Sequence, residues 1–389
     1  MNRRSRYSTL GWALVLASCG GSETEPADAA GSSGSSLASS DGSADAASSG
    51  DGSDGPTDPT DPGSTSSADS SSDDGPPGDC EAEGFHVDGG TLYDDHCNPF
   101  VFRGLNYPYA WFAWRDDTEQ QFADIAAAGA NTMRIVLANG EQWERIDGRQ
   151  LTQVIDWAKS QRLVVVLEIH DATGWSEQAS AADPQTAVDY WLSPDIRSAI
   201  DGNEAFVIIN IANEPLGNDT TDQWVPFHSG AIAELRRAGL RHTLIVDAPN
   251  WGQDWSGTMR DGVAAQQIFD ADPDGNVVFS VHMYDVYGTE PSVQSYFDEF
   301  LASGLPLIVG EFAADHGPKN PVAAEAIMAA SEAASVGYLG WSWSGNSAEL
   351  ASLDIVVDFS GANLSPWGEM LVNGPNGLQA TAQTCSCYE

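Results

Sequence analysis

The chain has 389 residues, with 57 Asp and Glu against 16 Lys and Arg, and a formal charge of −41 at pH 7. A charge this negative repels phosphate backbones and anionic lipid headgroups, so it disfavours nucleic acid as a partner. Hydrophobic residues make up 41% of the chain, which is enough for a sizeable core, but they are spread unevenly.

The N-terminus is predicted to be an export signal over residues 1–18. Three arginines within the first six residues precede an apolar stretch that is too short to span a bilayer. The segment Leu16-Ala17-Ser18-Cys19 resembles the lipobox of bacterial lipoproteins, which implies a lipid-anchored Cys19. An ordinary secretory signal with an incidental cysteine is the alternative. We therefore expect an exported protein, held at the outer membrane through Cys19 or extracellular if released.

Residues 20–79 are predicted to be a disordered linker. They contain 17 Ser, 11 Gly and 11 Asp but no Lys, Arg or aromatic residue. Such a segment cannot bury enough apolar surface to offset the entropy lost on ordering. The folded domain is therefore expected over 80–389.

Four cysteines remain in that domain: Cys80, Cys97, Cys385 and Cys387. An even number in an exported chain suggests two disulfides, with three possible pairings. All four lie near the ends of the domain, so we expect the ends to be joined by disulfides. Cys-x-Cys without a second close pair or a neighbouring His is poor zinc spacing, so we expect no metal.

Within 80–389, apolar runs alternate with amphipathic segments. The strand-like runs are Val101–Leu105, Thr132–Leu137, Val164–Ile169, Val207–Ala212, Thr243–Val246, Val277–Met283, Leu307–Val309 and Tyr338–Trp343. The helical segments are Glu119–Ala128, Leu151–Ser160, Trp224–Ala238, Val293–Leu301 and Val322–Ala334. Eight near-continuous apolar runs joined by helices predict a single (β/α)8 TIM barrel of the α/β class. A small hairpin between Cys80 and Phe102 is expected at the base of the barrel.

Polar and aromatic residues recur where the predicted strands end, which is the catalytic face of such a barrel. They are Arg134, His170, Asn213, Glu214, His282, Tyr284, Glu311, Trp341 and Trp343. Glu214 and Glu311 end strands 4 and 7, which face each other across a closed eight-stranded barrel. Two such carboxyl groups can supply the acid and the nucleophile of glycoside cleavage. Tryptophans on the same rim, among them Trp111 and Trp251, suit stacking against sugar faces.

Several segments together resemble glycoside hydrolase family 5, and in particular its bacterial β-mannanases. They are Phe102-Arg103-Gly104-Leu105-Asn106, Thr132-Met133-Arg134-Ile135-Val136, Leu167-Glu168-Ile169-His170-Asp171, Asn213-Glu214-Pro215, Trp251-Gly252-Gln253-Asp254, Val281-His282-Met283-Tyr284, Gly310-Glu311-Phe312 and Gly340-Trp341-Ser342-Trp343. The ordered set extends from about residue 84 to 380.

The resemblance implies a role for each of these residues. Glu214 would be the acid/base and Glu311 the nucleophile, kept ionised by Arg134 and Tyr284. Asn213 would bind the 2-hydroxyl of the sugar at the cleavage point, with His170, His282 and the Trp341 platform around it. Substrate contacts are also expected from Trp111, Trp251 and Trp343. Glu168 is expected to be a structural partner of Arg134.

The expected activity is retaining endo-hydrolysis of β-1,4-mannan, galactomannan or glucomannan, by a monomer that needs no cofactor. An endo-β-1,4-glucanase of the same family is one alternative, because the catalytic rim is shared. A surface glycan-binding protein without activity is another, although the presence of both carboxyl groups argues against it.

Overall fold

The computed structural model describes residues 82–317 and 320–389. The predicted signal over 1–18, Cys19, the linker over 20–79 and Cys80 lie outside these residues. Among the helices of the described part, none is long and apolar enough to cross a membrane.

The described residues contain ten strands. In chain order they are His86–Asp88 (β1), Thr91–Tyr93 (β2), Arg103–Tyr107 (β3), Thr132–Leu137 (β4), Val164–Ile169 (β5), Val207–Asn210 (β6), Leu244–Asp247 (β7), Val277–Met283 (β8), Leu307–Phe312 (β9) and Gly337–Gly340 (β10). The strands β3 to β10 are parallel and form a closed barrel, because β10 pairs with both β9 and β3. All of their residues are buried, as expected for strands covered on both faces. The predicted (β/α)8 barrel is confirmed.

The helices of the described part lie outside the barrel, in the segments that connect its strands or follow the last one. They are Tyr109–Phe112 (α1), Thr118–Ala127 (α2), Gly148–Ser160 (α3), Gln185–Leu192 (α4), Pro194–Ile200 (α5), Trp224–Arg237 (α6), Val263–Phe269 (α7), Glu290–Leu301 (α8), Ala324–Ala333 (α9), Pro366–Asn373 (α10) and Leu378–Thr381 (α11). The five helices expected from the sequence are α2, α3, α6, α8 and α9. The helices that the sequence analysis missed have eight residues or fewer, too few for a clear helical period.

The barrel interior is apolar near its base and polar near its mouth. On β5, Val164 and Val166 belong to the interior apolar cluster, whereas Glu168, two residues further on, contacts Arg134. Because side chains alternate along a strand, each strand adds one interior residue for every two positions. The interior-facing residues near the C-terminal ends of the strands are polar. Because the strands are parallel, these residues meet at one end of the barrel.

The predicted hairpin at the barrel base is confirmed by the antiparallel pair β1–β2. Phe85, Leu92 and Phe100 pack against the interior residues of the barrel, together with Cys385 near the C-terminus. The two ends of the domain thus meet under the barrel.

The expected disulfides between the two ends are wrong for Cys385 and Cys387, because these two cysteines are bonded to each other. Only one residue separates them in the sequence. Their Cα atoms are 5.2 Å apart, which is a normal spacing for a disulfide. Cys97 is also disulfide-bonded. Hydrogen bonds join the ends instead: the Asp94 carboxylate accepts one from the Ser386 amide at 3.2 Å.

Candidate active site

Arg134 on β4 is the centre of a polar network inside the barrel mouth. Its guanidinium donates to the side-chain oxygens of Asn106 at 2.9 Å, Asn210 at 2.9 Å, Asn213 at 2.6 Å and Glu311 at 2.8 Å. The side chain is 1% exposed. A buried guanidinium requires such partners on all sides, so Arg134 fixes the positions of four neighbouring side chains.

Glu311 lies on β9 and both of its carboxyl oxygens accept a hydrogen bond. One oxygen accepts from Arg134, and the other accepts from the Tyr284 hydroxyl at 2.8 Å. A charged donor and a phenol both stabilise the ionised form of a carboxyl group.

Glu214 follows β6 and has a different set of partners. One of its carboxyl oxygens lies 2.6 Å from Nδ1 of His282. Burial raises the pKa of Glu214, and the hydrogen bond from His282 opposes this only in part, while the charge of Glu311 adds to it. The side chain is 12% exposed, so it can still reach a bound molecule. Glu214 is therefore suited to carry a proton.

A carboxyl oxygen of Glu214, one of Glu311 and a ring nitrogen of His282 all lie within 4.8 Å of one another. Distance alone would permit a metal ion there. Burial lowers the pKa of His282, but the carboxylates of Glu311 and Asp247 outweigh this and raise it to about 10. A protonated imidazole has no lone pair for a metal, and together with Arg134 it already supplies positive charge.

Aromatic rings form one wall of the site around His170. The imidazole lies nearly parallel to the Trp341 ring, with centroids 5.9 Å apart, and edge-on to Trp111 at 5.0 Å. Trp143 packs edge-on against Trp111 at 5.6 Å. These rings bring the predicted residues Trp111, His170 and Trp341 together, and they add Trp143, which the sequence analysis missed.

Trp251 reaches the site from the loop after β7. The carbonyl of the next residue, Gly252, accepts the His282 amide at 2.7 Å. The indole donates to Glu177 at 3.0 Å and covers Gly174, where a Cβ would lie 2.0 Å from the ring. The turn is thus held in contact with the histidine that binds Glu214.

One expectation for this region is wrong. Trp343 is fully buried in the core and cannot face a substrate in this conformation. Strand β10 ends at Gly340, so the alternation that would place Trp343 beside Trp341 does not extend that far. The expected pairing of Glu168 with Arg134 is confirmed, since the two buried side chains form an ion pair at 3.9 Å. Glu168 has a second partner, because one of its oxygens also lies 3.0 Å from Nδ1 of His170.

Asp247, which was not among the residues predicted from the sequence, is buried at the end of β7 beside Arg134 and His282. A polar residue directly after the apolar run Leu244–Val246 was the available signal. Its importance depends on contacts with β4, β6 and β8, which are distant in sequence.

Two exposed tryptophans flank the mouth of the barrel. Trp114 follows β3 and is 76% exposed, and Trp255 follows β7 and is 49% exposed. In the closed order of eight strands, β3 and β7 are four positions apart and hence opposite each other. Near Trp114 lies a pocket of about 460 Å³, lined in part by Arg115, Asn346 and Phe359. A molecule bound at the mouth can therefore contact a tryptophan on either side of the two carboxyl groups.

This arrangement can perform acid-assisted displacement. A carboxylate held by a cation and a phenol can act as a nucleophile, and a neighbouring carboxyl group with a raised pKa can donate a proton. Carboxyl groups about 5–5.5 Å apart are typical of retaining glycosidases, whereas inverting enzymes separate them by about 6.5–9.5 Å. The short separation here favours the retaining geometry.

Comparison with known proteins agrees with this geometry. Residues 93–347 match the cellulase family, glycosyl hydrolase family 5. A mannan endo-1,4-beta-mannosidase of Cellvibrio japonicus is 47% identical over 306 residues, covering 78% of this chain and 69% of the relative. One of Streptomyces lividans is 44% identical over 308 residues, covering 79% and 78% respectively.

Comparison of the fold with solved structures also points to beta-mannanases. The solved structure of a beta-mannanase from Thermomonospora fusca superposes with a TM-score of 0.75 at 46% identity, covering 79% of this chain and all of that one. A mannohexaose complex of that enzyme superposes with a TM-score of 0.74, also at 46% identity and with 79% of this chain covered. Since the family match extends over most of the barrel that holds the paired carboxyl groups, the chain belongs to glycosyl hydrolase family 5.

Proposed function

We propose that this chain is an endo-β-1,4-mannanase that cleaves mannan, galactomannan or glucomannan with retention of configuration. The observation that carries the proposal is the pair Glu214 and Glu311, with carboxyl oxygens within 4.8 Å and different partners. The substrate class is supported by the relatives, which are named as mannan endo-1,4-beta-mannosidases. The two tryptophans on opposite sides of the mouth support binding of a chain that extends past both carboxyl groups.

In the first step, Glu311 attacks the anomeric carbon while Glu214 protonates the leaving oxygen, which forms a covalent glycosyl-enzyme. In the second step, Glu214 removes a proton from water, and the water releases the sugar from Glu311. Arg134 and Tyr284 each donate a hydrogen bond to one oxygen of Glu311 and so hold the nucleophile in place. His282 donates to one oxygen of Glu214, so the other oxygen carries the transferred proton.

The remaining predicted residues have roles in sugar binding. Asn213 accepts from Arg134 and donates to Thr173 at 2.9 Å, which leaves one amide hydrogen for a sugar hydroxyl. Trp341 provides a platform, with His170 and Trp111 beside it. Trp251 contacts the sugar on the side of the site where Glu214 lies.

The test is release of reducing ends by the purified full-length chain on galactomannan, glucomannan and carboxymethylcellulose in parallel. We expect release from the two mannans and little from the cellulose derivative. Release from the cellulose derivative alone would favour the endoglucanase alternative. No release from any of the three would favour the glycan-binding alternative. Retention is checked by NMR, as early formation of the β-anomer at the new reducing end.

For the N-terminal part we propose export and lipid anchoring at Cys19, and for the whole chain a monomeric state. The support for export is the basic start, the short apolar stretch and the segment Leu16–Cys19. Labelling with a fatty acid in cells that express the chain should mark the wild type and not a Cys19→Ser variant. Equal labelling of the two would contradict the anchor.

A further inference from the structure

Asp247, the last residue of β7, is a buried carboxylate that touches both halves of the site. Its side chain is fully buried. Burial raises its pKa, but His282, Arg134 and the Glu214 amide outweigh this effect and hold the pKa of Asp247 below its usual range. These contacts therefore favour the ionised form of Asp247.

The Oδ2 atom of Asp247 meets three groups. It accepts the backbone N–H of Glu214 at 3.1 Å, lies 3.5 Å from Nε2 of His282 and lies 3.4 Å from the Arg134 guanidinium. Its Oδ1 atom accepts from Asn210 at 3.2 Å. Of these contacts, the first two lead to Glu214, because His282 binds the Glu214 carboxyl group through Nδ1 at 2.6 Å.

The backbone of Glu214 needs such support. Its φ is 38°, in the left-handed region that residues with a Cβ rarely occupy. Strained positions of this kind persist when their surroundings hold them. The Asp247 carboxylate holds the Glu214 amide in this conformation, and thereby sets the direction of the side chain.

We propose that Asp247 is the positioning residue for the acid/base Glu214, holding its backbone amide directly and its carboxyl group through His282. The inference rests on the proposed function of the site. Asp247 does not touch the reacting atoms. Together with Glu311, which lies 3.6 Å from Nδ1, it balances the charge of His282, and its own carboxylate faces Nε2 at 3.5 Å. The imidazole therefore keeps one orientation and always donates to the same oxygen of Glu214. The other oxygen then faces the leaving group with its proton.

The test uses an Asp247→Asn variant of the full chain and two substrates that differ in their need for an acid. Cleavage of mannohexaose requires protonation of the leaving sugar. The dinitrophenolate of 2,4-dinitrophenyl β-mannobioside leaves without a proton, and its burst reports the first step alone. Because general acid catalysis contributes about 10²–10⁴-fold, we expect kcat on mannohexaose to fall by about 10- to 100-fold with KM nearly unchanged. The burst rate should stay within about threefold of the wild type, because its first step needs no acid.

Asp254→Asn is the matched control. Asp254 is also a buried aspartate after β7, but it binds the amides of Met259 and Arg260 and the Tyr296 hydroxyl. This variant should leave the ratio of the two rates as in the wild type, even where it lowers stability.

An equal loss on both substrates in Asp247→Asn would overturn the inference, since it would indicate general damage or an effect through Arg134. Normal rates on both substrates would overturn it as well. The burst also reports that the variant is folded. If wild-type enzyme fails to cleave mannohexaose, the proposed function is at fault rather than the role of Asp247.

Discussion

At the scale of single residues, the two carboxyl groups differ through their partners and not through their own chemistry. Glu311 is bound by a guanidinium on one oxygen and a phenol on the other. Glu214 is bound by one imidazole, and burial raises its pKa. Two chemically identical side chains can thus perform opposite tasks a few ångströms apart, because each is surrounded by different charges.

A Glu311→Gln substitution should abolish turnover with little change in fold. Glutamine has nearly the same shape and can still accept from Arg134, but its amide is a very poor nucleophile. We expect kcat on mannohexaose to fall by about three orders of magnitude or more, as is usual when a nucleophile is removed. Initial rates and a thermal melt measure the two effects separately.

Glu325→Gln is the control, since Glu325 is exposed at the start of α9. It should leave both rate and melting temperature unchanged. More than a tenth of the wild-type rate in Glu311→Gln would show that another group attacks the sugar.

Glu214 and Glu311 could be predicted because each follows an apolar, strand-like run and lies in a short motif, Asn213-Glu214-Pro215 in one case and Gly310-Glu311-Phe312 in the other. Asp247 also follows an apolar run, but it lies in no such motif. Its partners Arg134, Glu214 and His282 are supplied by three other segments, and their proximity follows only from barrel closure.

At the scale of elements, the packing of neighbouring strands limits which residue types fit at certain positions, and the hydrophobic pattern of the sequence does not show this limit. Gly104 of β3 is paired with Thr132 of β4. A Cβ on Gly104 would lie 1.9 Å from the Thr132 carbonyl oxygen, closer than any real contact of this kind. This glycine is required because the β4 backbone occupies the space of a side chain.

Gly104→Ala should therefore destabilise the barrel, and Gly230→Ala should do the opposite. A Cβ at Gly230 in α6 would meet nothing within 4 Å, and alanine favours a helix by up to about 1 kcal/mol. For Gly104→Ala we expect a loss of about 2 kcal/mol or more, because backbone atoms must move. Urea unfolding of the two variants against the wild type measures both changes. A neutral Gly104→Ala would mean that the strands separate easily at this point.

Strand positions followed from the sequence where apolar runs were continuous, as in β4, β5 and β8, whose predicted and observed bounds agree. The first barrel strand begins two residues later than predicted, at Arg103. The last ends at Gly340, before the two tryptophans that were assigned to it. Apolar residues in a loop that packs into the core look the same as strand residues in sequence.

At the scale of the whole molecule, the free energy of unfolding should fall at acidic pH, because two histidines are buried in their neutral form. Burial lowers the pKa of His228 and of His242 to about 4 each, from an ordinary value of 6.5. Below pH 6.5 the unfolded chain binds protons that the folded chain refuses. The free energy of unfolding should therefore fall as the pH drops from about 6.5 to about 4, by up to about 3 kcal/mol for each histidine.

His228→Leu should make this decline less steep, because it removes one of the two groups. Unfolding by urea at pH 7, 5.5 and 4.5 gives the slope for wild type and variant. Val263→Ala, at an exposed position without a titratable group, is the control and should leave the slope as it is. Identical slopes in wild type and His228→Leu would mean that His228 is protonated in the folded protein.

The sequence by itself determined the barrel, the two carboxyl groups and most of the residues around them. These follow from the spacing of apolar runs and from short motifs, which record how neighbours along the chain are arranged. Only the tertiary structure decided that Trp343 is buried, that Cys385 bonds Cys387 and that Asp247 connects Arg134 with His282. The reason is physical, since burial and contacts between distant segments depend on closure of the whole barrel, which no local pattern records.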